Sequence, residues 1–395
     1  MCHGPDWSAV PPPEPEPTQL LHRRTLVAAA AGLLLAALPS ARAAETASAN
    51  DTARFLAGMA PAAESPLARL TGDPSWQEHA RIFDTAFEHA EYSQLARIRV
   101  WADHNLTASR PTMFYMFGGP DFLYANTFYP NARTYVLSGL EPAGEVPDLT
   151  TLRGSLGPDL SKLRVSLRWI LQYSYFITSQ MGSDLHRGRL NGTLPVLYVF
   201  LARSGKVIRD VSPVRLDDQG AVQPDVETSR RVPARGVKIV FAGNDGEERT
   251  LYYFRTDLSN DGVNNSKFLA FCETLAPGES LVKSASYLLH SKRFAAVREF
   301  LLANSALMVQ DDTGIPLAYY DPQKWDLQPF GQYVGPIAVF RGMYQSKYAA
   351  LFKNSQPIDF GIGYRWRPNQ SNVLVAIKKP GVSLSESSLG MAPKQ

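Results

Sequence analysis

Cysteine is almost missing from this sequence, which holds only Cys2 and Cys272 in 395 residues. Cys2 lies in a segment that we expect to be removed on export, so no disulfide can form within the remaining chain. Cys272 lies in the apolar run KFLAFCETL. An apolar setting favours a buried, unreactive thiol over a nucleophile.

The sequence also lacks the short motifs that mark well-known catalytic and cofactor sites. It has no G-x-S-x-G, no phosphate-binding G-x-x-x-x-G-K-[ST], no H-E-x-x-H and no G-x-G-x-x-G. The seven histidines lack the close spacing of metal ligands; they are His3, His22, His79, His89, His104, His186 and His290. We therefore predict no metal and no cofactor.

The sequence also has no large excess of either positive or negative charge. The net charge is +3, and the basic residues form only short local runs. Nucleic-acid binding needs a cluster of basic residues on one face, so we predict no nucleic-acid partner. Beyond the N-terminal segment, no stretch reaches the roughly 20 apolar residues of a membrane helix. We expect a mature chain that is soluble and has no membrane span.

The N-terminal segment has the organisation of an export signal. Arg23 and Arg24 precede a run of small and apolar residues at 26–38, and Ala41-Arg42-Ala43 is an A-x-A cleavage pattern. We predict a signal peptide cleaved near Ala43 and a periplasmic or secreted protein. The arginine pair fits a twin-arginine signal, but ordinary Sec signals contain such pairs too, so both routes stay open.

An amphipathic helical segment follows the signal peptide. The stretch SWQEHARIFDTAFEHAEYSQLARI places Trp76, Phe83 and Phe87 at helical spacing. Ser75 and Glu78 have the spacing of a capping box, which predicts Ser75 as the N-cap.

Two later stretches resemble each other, at 98–121 and 237–257. Each reads as an apolar strand, a polar turn, an aromatic strand and an Asp, and Asn244-Asp245-Gly246 is a hairpin signal in the second. Downstream, RTYVLSGLEPAG parallels KFLAFCETLAPG as a strand. Helical stretches at 160–181 and 284–307 come next, and then NGTLPVLYVF parallels DTGIPLAYYD as a further strand. The parallel predicts an internal repeat.

This ordering mixes hairpins with helices and predicts an α+β or mixed-sheet α/β fold, with the two long helices on one face of the sheet. GMYQSKYAALFK predicts a short C-terminal helix, and the turn Pro368-Asn369-Gln370 predicts a closing hairpin. The predicted organisation is a signal peptide at 1–43, an N-terminal helical segment at 44–97, a first hairpin-strand-helix-strand unit at 98–211, a connection at 212–235, a second related unit at 236–340, a C-terminal helix and hairpin at 341–380, and a flexible tail at 381–395.

Candidate site residues follow the aromatic strands. Gly118-Gly119-Pro120 makes a sharp turn before Asp121, and Asp257 occupies the matching position in the second unit. Loops after strand ends hold ligands in many α/β proteins, so Asp121, Asp257 and His186 are candidates for acid/base chemistry. Both aspartates could instead cap turns, and His186 could instead cap a helix. The candidate ligand-binding residues are Tyr124, Asn126, Arg255, Asn264 and Asn265.

Three functions are compatible with these patterns. The first is a binding or accessory module that takes a small molecule or glycan in a crevice between the two units, where aromatic side chains at 317–340 could also contact sugar rings. The second is a hydrolase that uses Asp121 or Asp257 as acid or base with His186 assisting. A structural partner in a cell-envelope assembly, the third reading, would show an exposed apolar patch. The sequence identifies no partner protein and does not decide whether the chain is an enzyme.

Overall fold

A computed structural model describes residues 47–106, 110–176, 189–226 and 234–382. The predicted signal peptide at 1–43, His186 and nearly all of the predicted tail lie outside these residues.

The strands of the described residues form one continuous ten-stranded mixed sheet. They are β1 (Thr112–Tyr115), β2 (Thr134–Gly139), β3 (Val207–Leu216), β4 (Val222–Pro224), β5 (Arg235–Ala242), β6 (Glu248–Arg255), β7 (Gly278–Val282), β8 (Ser305–Gln310), β9 (Trp325–Gly331) and β10 (Asn372–Lys378). Their spatial order is β4-β3-β5-β6-β2-β1-β7-β8-β10-β9. The predicted α+β or mixed-sheet α/β class is confirmed.

The five central strands, β6-β2-β1-β7-β8, are parallel, and the strands outside them pair antiparallel. In the register of the centre, Met113 pairs with Tyr135 on one side and with Glu279 on the other. The strands that follow β1 in sequence, β2 to β6, all lie on one side of it in the sheet. The later strands, β7 to β10, all lie on its other side. The sheet therefore has a topological switch point between β1 and β7, where the loops that follow the two strands diverge.

Helices cover both faces of the sheet. The α-helices within the described ranges are α1 (Ala49–Leu56), α2 (Pro74–Ala90), α3 (Ala96–Asn105), α4 (Phe122–Phe128), α5 (Gly157–Tyr173), α6 (Leu194–Arg203), α7 (Asn260–Ser266), α8 (Phe268–Leu275), α9 (Ala295–Asn304) and α10 (Ser346–Leu351). Residues of α1 to α6 form one core with Tyr115 and Leu137, and residues of α7 to α9 form a second core with Phe114 and Val136.

The prediction that both long helices lie on one face is therefore wrong, because α5 belongs to the first core and α9 to the second. The physical reason is that successive strand residues point to opposite faces, and both faces of these central strands are apolar and need cover.

The N-terminal helical prediction is confirmed over α2, whose buried residues include Trp76 and Phe83. Ser75 is not the N-cap. Asp73 takes that position and accepts a hydrogen bond from the backbone N–H of Ser75 at 2.7 Å, with Pro74 in the first helical turn. A π-helical turn at Glu91–Leu95 leads from α2 directly into α3.

Four strand predictions are wrong. The segment DTGIPLAYYD is not a strand, because it forms turns and a 3-10 helix at Leu317–Tyr319. Residues 98–105 belong to α3, where Ile98 and Ala102 are buried at a four-residue spacing. KFLAFCETL forms α8, which buries Cys272 as predicted. NGTLPVLYVF contributes to α6, which begins with Pro195 in its first turn and is apolar all round because it is buried all round.

The hairpin predicted at 237–257 is confirmed as β5 and β6, and Gly246 supplies the positive φ of 82° at the turn. In the first unit, α3 takes the place of the first predicted hairpin strand, and the predicted helix at 284–307 divides into 3-10 turns, α9 and the start of β8. The element-by-element correspondence behind the repeat prediction is therefore wrong at these segments, and the fold gives the repeat no structural support.

At the C-terminal end, the predicted short helix is confirmed as α10. The predicted closing hairpin is wrong, because β10 pairs with β8 and β9 and residues 363–365 form a 3-10 turn. β9 lies far upstream in the chain, and a pairing of that kind leaves no local turn signal in the sequence.

Candidate functional site

The Gly-Gly-Pro stretch connects β1 to α4 at the switch point. Gly119 has a φ of 60°, which favours glycine. A Cβ on Gly118 would lie 2.3 Å from Cζ of the Tyr115 ring, so the backbone passes directly over that ring. Asp121 is the N-cap of α4 and accepts hydrogen bonds from the Tyr124 backbone N–H at 3.0 Å and from the Tyr115 hydroxyl at 2.9 Å. The turn thus places a carboxylate under the end of β1.

Asp121 forms a buried ion pair with Lys283, the residue that follows β7. Lys283 Nζ lies 3.1 Å from Asp121 Oδ2, and both side chains are 1% exposed. The ammonium also donates to the Ser174 carbonyl and lies 4.0 Å from the centre of the Tyr124 ring. Burial lowers the pKa of Lys283, and the neighbouring Asp121 carboxylate opposes that shift. The pair joins the two strands of the switch point.

A cavity of about 210 Å³ lies at the carboxyl ends of the parallel strands. Its walls come from the loops that follow β1, β2, β6 and β7, with further side chains from the residues after α5 and from a C-terminal 3-10 turn. These lining residues include 116–119, 138–141, 256–258, 283–286, Tyr175, Phe176 and Tyr364. In open α/β sheets, ligands bind in the crevice at this end of the strands.

The walls offer several hydroxyl groups and one carboxyl whose proton affinity is changed by burial. The Tyr364 hydroxyl donates to the Ser284 carbonyl at 3.0 Å and shares a hydrogen bond with the Ser286 hydroxyl at 2.8 Å. Burial raises the pKa of Glu141, while backbone N–H groups nearby lower it. The cavity therefore holds polar groups that can donate or accept without a large net charge.

A second pair of carboxyls, Asp311 and Asp312, accepts hydrogen bonds from the loop that follows β7. Asp311 Oδ2 accepts from the Ser284 backbone N–H at 2.9 Å, and Oδ1 accepts from the Thr313 N–H at 2.9 Å. Burial, together with the charge of Asp312, raises the pKa of Asp311 to about 7. Asp312 accepts from the hydroxyl of Tyr287 and the amide of Asn372. The two carboxyls thus fix the loop through backbone and side-chain hydrogen bonds.

Of the predicted acid/base candidates, Asp121 and Asp257 both line the cavity, and His186 lies outside the described residues. Asp257 is exposed and accepts from the Ser259 N–H at 2.9 Å and the Ser259 hydroxyl at 2.8 Å, so it also caps its own turn. Asp121 caps α4 and pairs with Lys283. Each aspartate therefore caps a turn or helix start, as the capping alternative predicts, and each also lines the cavity.

The predicted ligand-binding residues are more scattered. The Tyr124 ring faces the Lys283 ammonium below the cavity. Arg255 is exposed and donates to the Leu140 carbonyl at 3.0 Å, and Asn264 and Asn265 are exposed on α7. The Asn126 side chain has a buried oxygen without a hydrogen-bond partner, away from the cavity lining. A ligand role for these five residues stays a prediction.

Sequence reasoning missed Glu141, Lys283, Ser284 and Tyr364. Glu141 was visible as the first charged residue after the strand RTYVLSG, at the same end of the sheet as Asp121. Ser284 is the first residue of the predicted helix at 284–307 and Lys283 directly precedes it, so the sequence gives no sign that a strand ends there. Tyr364 reaches the cavity from a turn that no local pattern connects with β7.

A second, larger hollow of about 570 Å³ borders Ala47, the 143–148 loop, α6 and β3. This hollow lies away from the ends of the central parallel strands. It also borders Ala47, the first residue that the structure describes. The smaller cavity is the better candidate, because four strand-end loops and a buried ion pair converge on it.

Within the described ranges, no group of three or more His, Cys, Asp or Glu side chains could hold a metal ion. In that same part of the chain, no helix combines the length and the apolar character needed to cross a membrane. Comparison of the chain with protein-family models, with curated proteins and with solved structures gave no match.

Proposed function

We propose that this protein is an exported binding module that takes a small neutral molecule, such as a sugar, in the switch-point cavity. Export is inferred from the signal peptide pattern at 1–43. The observation that carries the proposal is the convergence of four strand-end loops on one cavity at the position where open α/β sheets bind ligands.

The charges around the cavity favour a neutral ligand. Lys283 and Asp121 neutralise each other, and each already has further hydrogen-bond partners in the protein. Neither group is available as an unpaired charge for an ionic ligand. The remaining polar groups are hydroxyls, backbone groups and the carboxyls of Glu141 and Asp257, which suit a ligand that carries hydroxyl groups.

The size and the rim of the cavity favour a ring-sized group. A volume of about 210 Å³ is below the roughly 300–1,000 Å³ of pockets for drug-sized ligands. At the rim, the side chains of Leu140 and Leu288 are 60% and 36% exposed. Apolar side chains at the mouth can cover the apolar face of a ligand whose hydroxyls point inward, as sugar rings require.

A hydrolase stays the second candidate because of Glu141. Its carboxyl lines the cavity, and burial raises its pKa. A carboxyl with a raised pKa keeps its proton to a higher pH than an ordinary glutamate and can act as a general acid, and Asp257 offers a second carboxyl at the same cavity. Since Asp121 is committed to Lys283, the acid/base pair of such an enzyme would be Glu141 and Asp257.

The test is a thermal-shift screen of the purified protein, followed by calorimetric titration of each compound that raises Tm. The panel contains monosaccharides, methyl glycosides, disaccharides, amino acids, nucleosides and short fatty acids. We expect a neutral hydroxylated compound to stabilise the protein by mass action.

Leu288→Ala should weaken binding of that compound about threefold to tenfold, through loss of roughly 1 kcal/mol of apolar contact. Val226→Ala, at a residue that is 86% exposed and away from the cavity, should leave affinity unchanged. Equal affinity in the wild type and Leu288→Ala would contradict the binding site. For the hydrolase, Glu141→Gln should retain binding and lose turnover of a glycoside that the wild type cleaves.

A further inference from the structure

The loop that follows β7 has an unusual backbone. Ser284, Ser286 and Tyr287 have φ values of 55°, 51° and 56°, so three of four consecutive residues are left-handed without being glycine. For a residue with a Cβ this conformation is strained relative to the ordinary right-handed and extended conformations. Strain of this kind persists only where the surroundings impose it, and it is concentrated at functional sites.

Three hydrogen bonds between side chains and the backbone of Ser284 and Ala285 hold Ser284 in this conformation. Its backbone N–H donates to the buried carboxyl of Asp311 at 2.9 Å, and its carbonyl accepts from the Tyr364 hydroxyl at 3.0 Å. The next N–H, of Ala285, donates to the Thr313 hydroxyl at 2.7 Å. The loop is therefore fixed through its backbone by side chains from the loop after β8 and from the C-terminal turn.

The side chain of Ser284 takes no part in this network. Its hydroxyl is buried and has no hydrogen-bond partner among the described residues, although the residue lines the cavity. Two other serines line the same cavity, and both are paired: Ser138 donates to the Met116 carbonyl at 2.7 Å, and Ser286 pairs with Tyr364. A buried hydroxyl without a partner is rare enough to call for an explanation.

We propose that the Ser284 hydroxyl is the polar contact that orients the ligand in the switch-point cavity. Because no hydrogen bond holds the hydroxyl, it can rotate about the Cα–Cβ bond towards the cavity without breaking one. A nucleophilic serine needs a base within hydrogen-bond reach, and Ser284 has none among the described residues. Ser284 is therefore a specificity-determining contact for a hydroxyl-bearing ligand, an assignment that rests on the proposed binding function.

The first experiment needs no ligand. Ser284→Gly should raise Tm by about 1–4 °C, because glycine removes the backbone strain. Ser284→Ala should leave Tm close to that of the wild type, since no hydrogen bond is lost, whereas Ser286→Ala should lower it. Lys267→Gly is the matched control: Lys267 has a φ of 58° outside the cavity, so its replacement should also raise Tm. A fall in Tm in both Ser284 variants would show that this side chain serves the fold, and would overturn the proposal.

The second experiment uses ethane-1,2-diol, whose adjacent hydroxyls resemble those of a sugar ring. Crystals of the wild type soaked in the diol should show a diol oxygen within about 3 Å of Ser284 Oγ. That position should be empty or shifted in Ser284→Ala and unchanged in Lys267→Gly. The same diol position in the wild type and Ser284→Ala, or no diol at Ser284 in the wild type, would overturn the proposal.

The two proposals can fail separately. If no compound of the panel binds, the proposed function fails, while the diol soak still reports on Ser284. If a compound binds, Ser284→Ala and Ser284→Gly should each lose about fivefold to tenfold in affinity, the value of one neutral hydrogen bond. Unchanged affinity in both variants would remove Ser284 from the site and leave the binding function standing.

Discussion

Replacing Lys283 by methionine tests the energetic role of the ion pair under the cavity. The substitution keeps the length and apolar stem of the side chain but removes the ammonium. It leaves the Asp121 carboxylate, which is 1% exposed, with only the Tyr115 hydroxyl and the Tyr124 backbone N–H as partners. It also leaves the Ser174 carbonyl without its donor.

Removing one member of a buried ion pair typically costs about 3–5 kcal/mol, because the remaining charge stays buried and uncompensated. We expect Lys283→Met to lower the free energy of unfolding by that amount, as measured by urea denaturation with an unchanged m value. The double variant Lys283→Met/Asp121→Asn should be more stable than the sum of the two single effects by about 1–3 kcal/mol.

Arg81→Met provides the control, because Arg81 forms a shorter but exposed pair with Glu78 at 2.8 Å. Exposed pairs contribute little, so this variant should unfold like the wild type. Lys283→Met with wild-type stability, or strictly additive effects in the double variant, would refute the view that the pair joins β1 to β7.

Two further predictions concern the strands and the turn around the cavity. Burial raises the pKa of Glu279 to about 8 from 4.5, so the folded state retains a proton that the unfolded chain releases. The contribution of Glu279 to stability is thus fully present below pH about 4.5 and is lost as the pH rises through about 8. Glu279→Gln should flatten this part of the pH profile of urea midpoints, and an unchanged slope would contradict the assignment. Gly118→Ala should cost about 1–3 kcal/mol, because a Cβ would lie 2.3 Å from the Tyr115 ring. Gly342→Ala, where a Cβ would meet nothing within 4 Å, should be tolerated in the same denaturation assay, and equal stability of the two variants would refute the contact.

The sequence predicted those parts of the fold that leave a local signal. The N-terminal helix followed from the spacing of Trp76, Phe83 and Phe87, and the β5–β6 hairpin followed from Asn244-Asp245-Gly246. α6 was missed because a run that is buried on all sides has the same composition as a buried strand.

Only part of the candidate site could be predicted from the sequence, again because only local patterns leave a signal. Asp121 could be placed at a strand end because a Gly-Gly-Pro turn marks the end of β1. Its partner Lys283 depends on the parallel pairing of β1 with β7, and parallel pairing across a long connection has no short-range sequence signal. The sequence does not reveal the strain at Ser284, because it is imposed by two hydrogen bonds from distant parts of the chain: the Ser284 N–H donates to Asp311, and the Tyr364 hydroxyl donates to the Ser284 carbonyl.

The most direct test of the ligand site is hydrogen–deuterium exchange with and without the panel compound that raises Tm most. The proposed site predicts slower exchange at 116–119 and 283–287, the loops that follow β1 and β7. Slower exchange confined to 143–148 and 209–213, beside the second hollow, would contradict it.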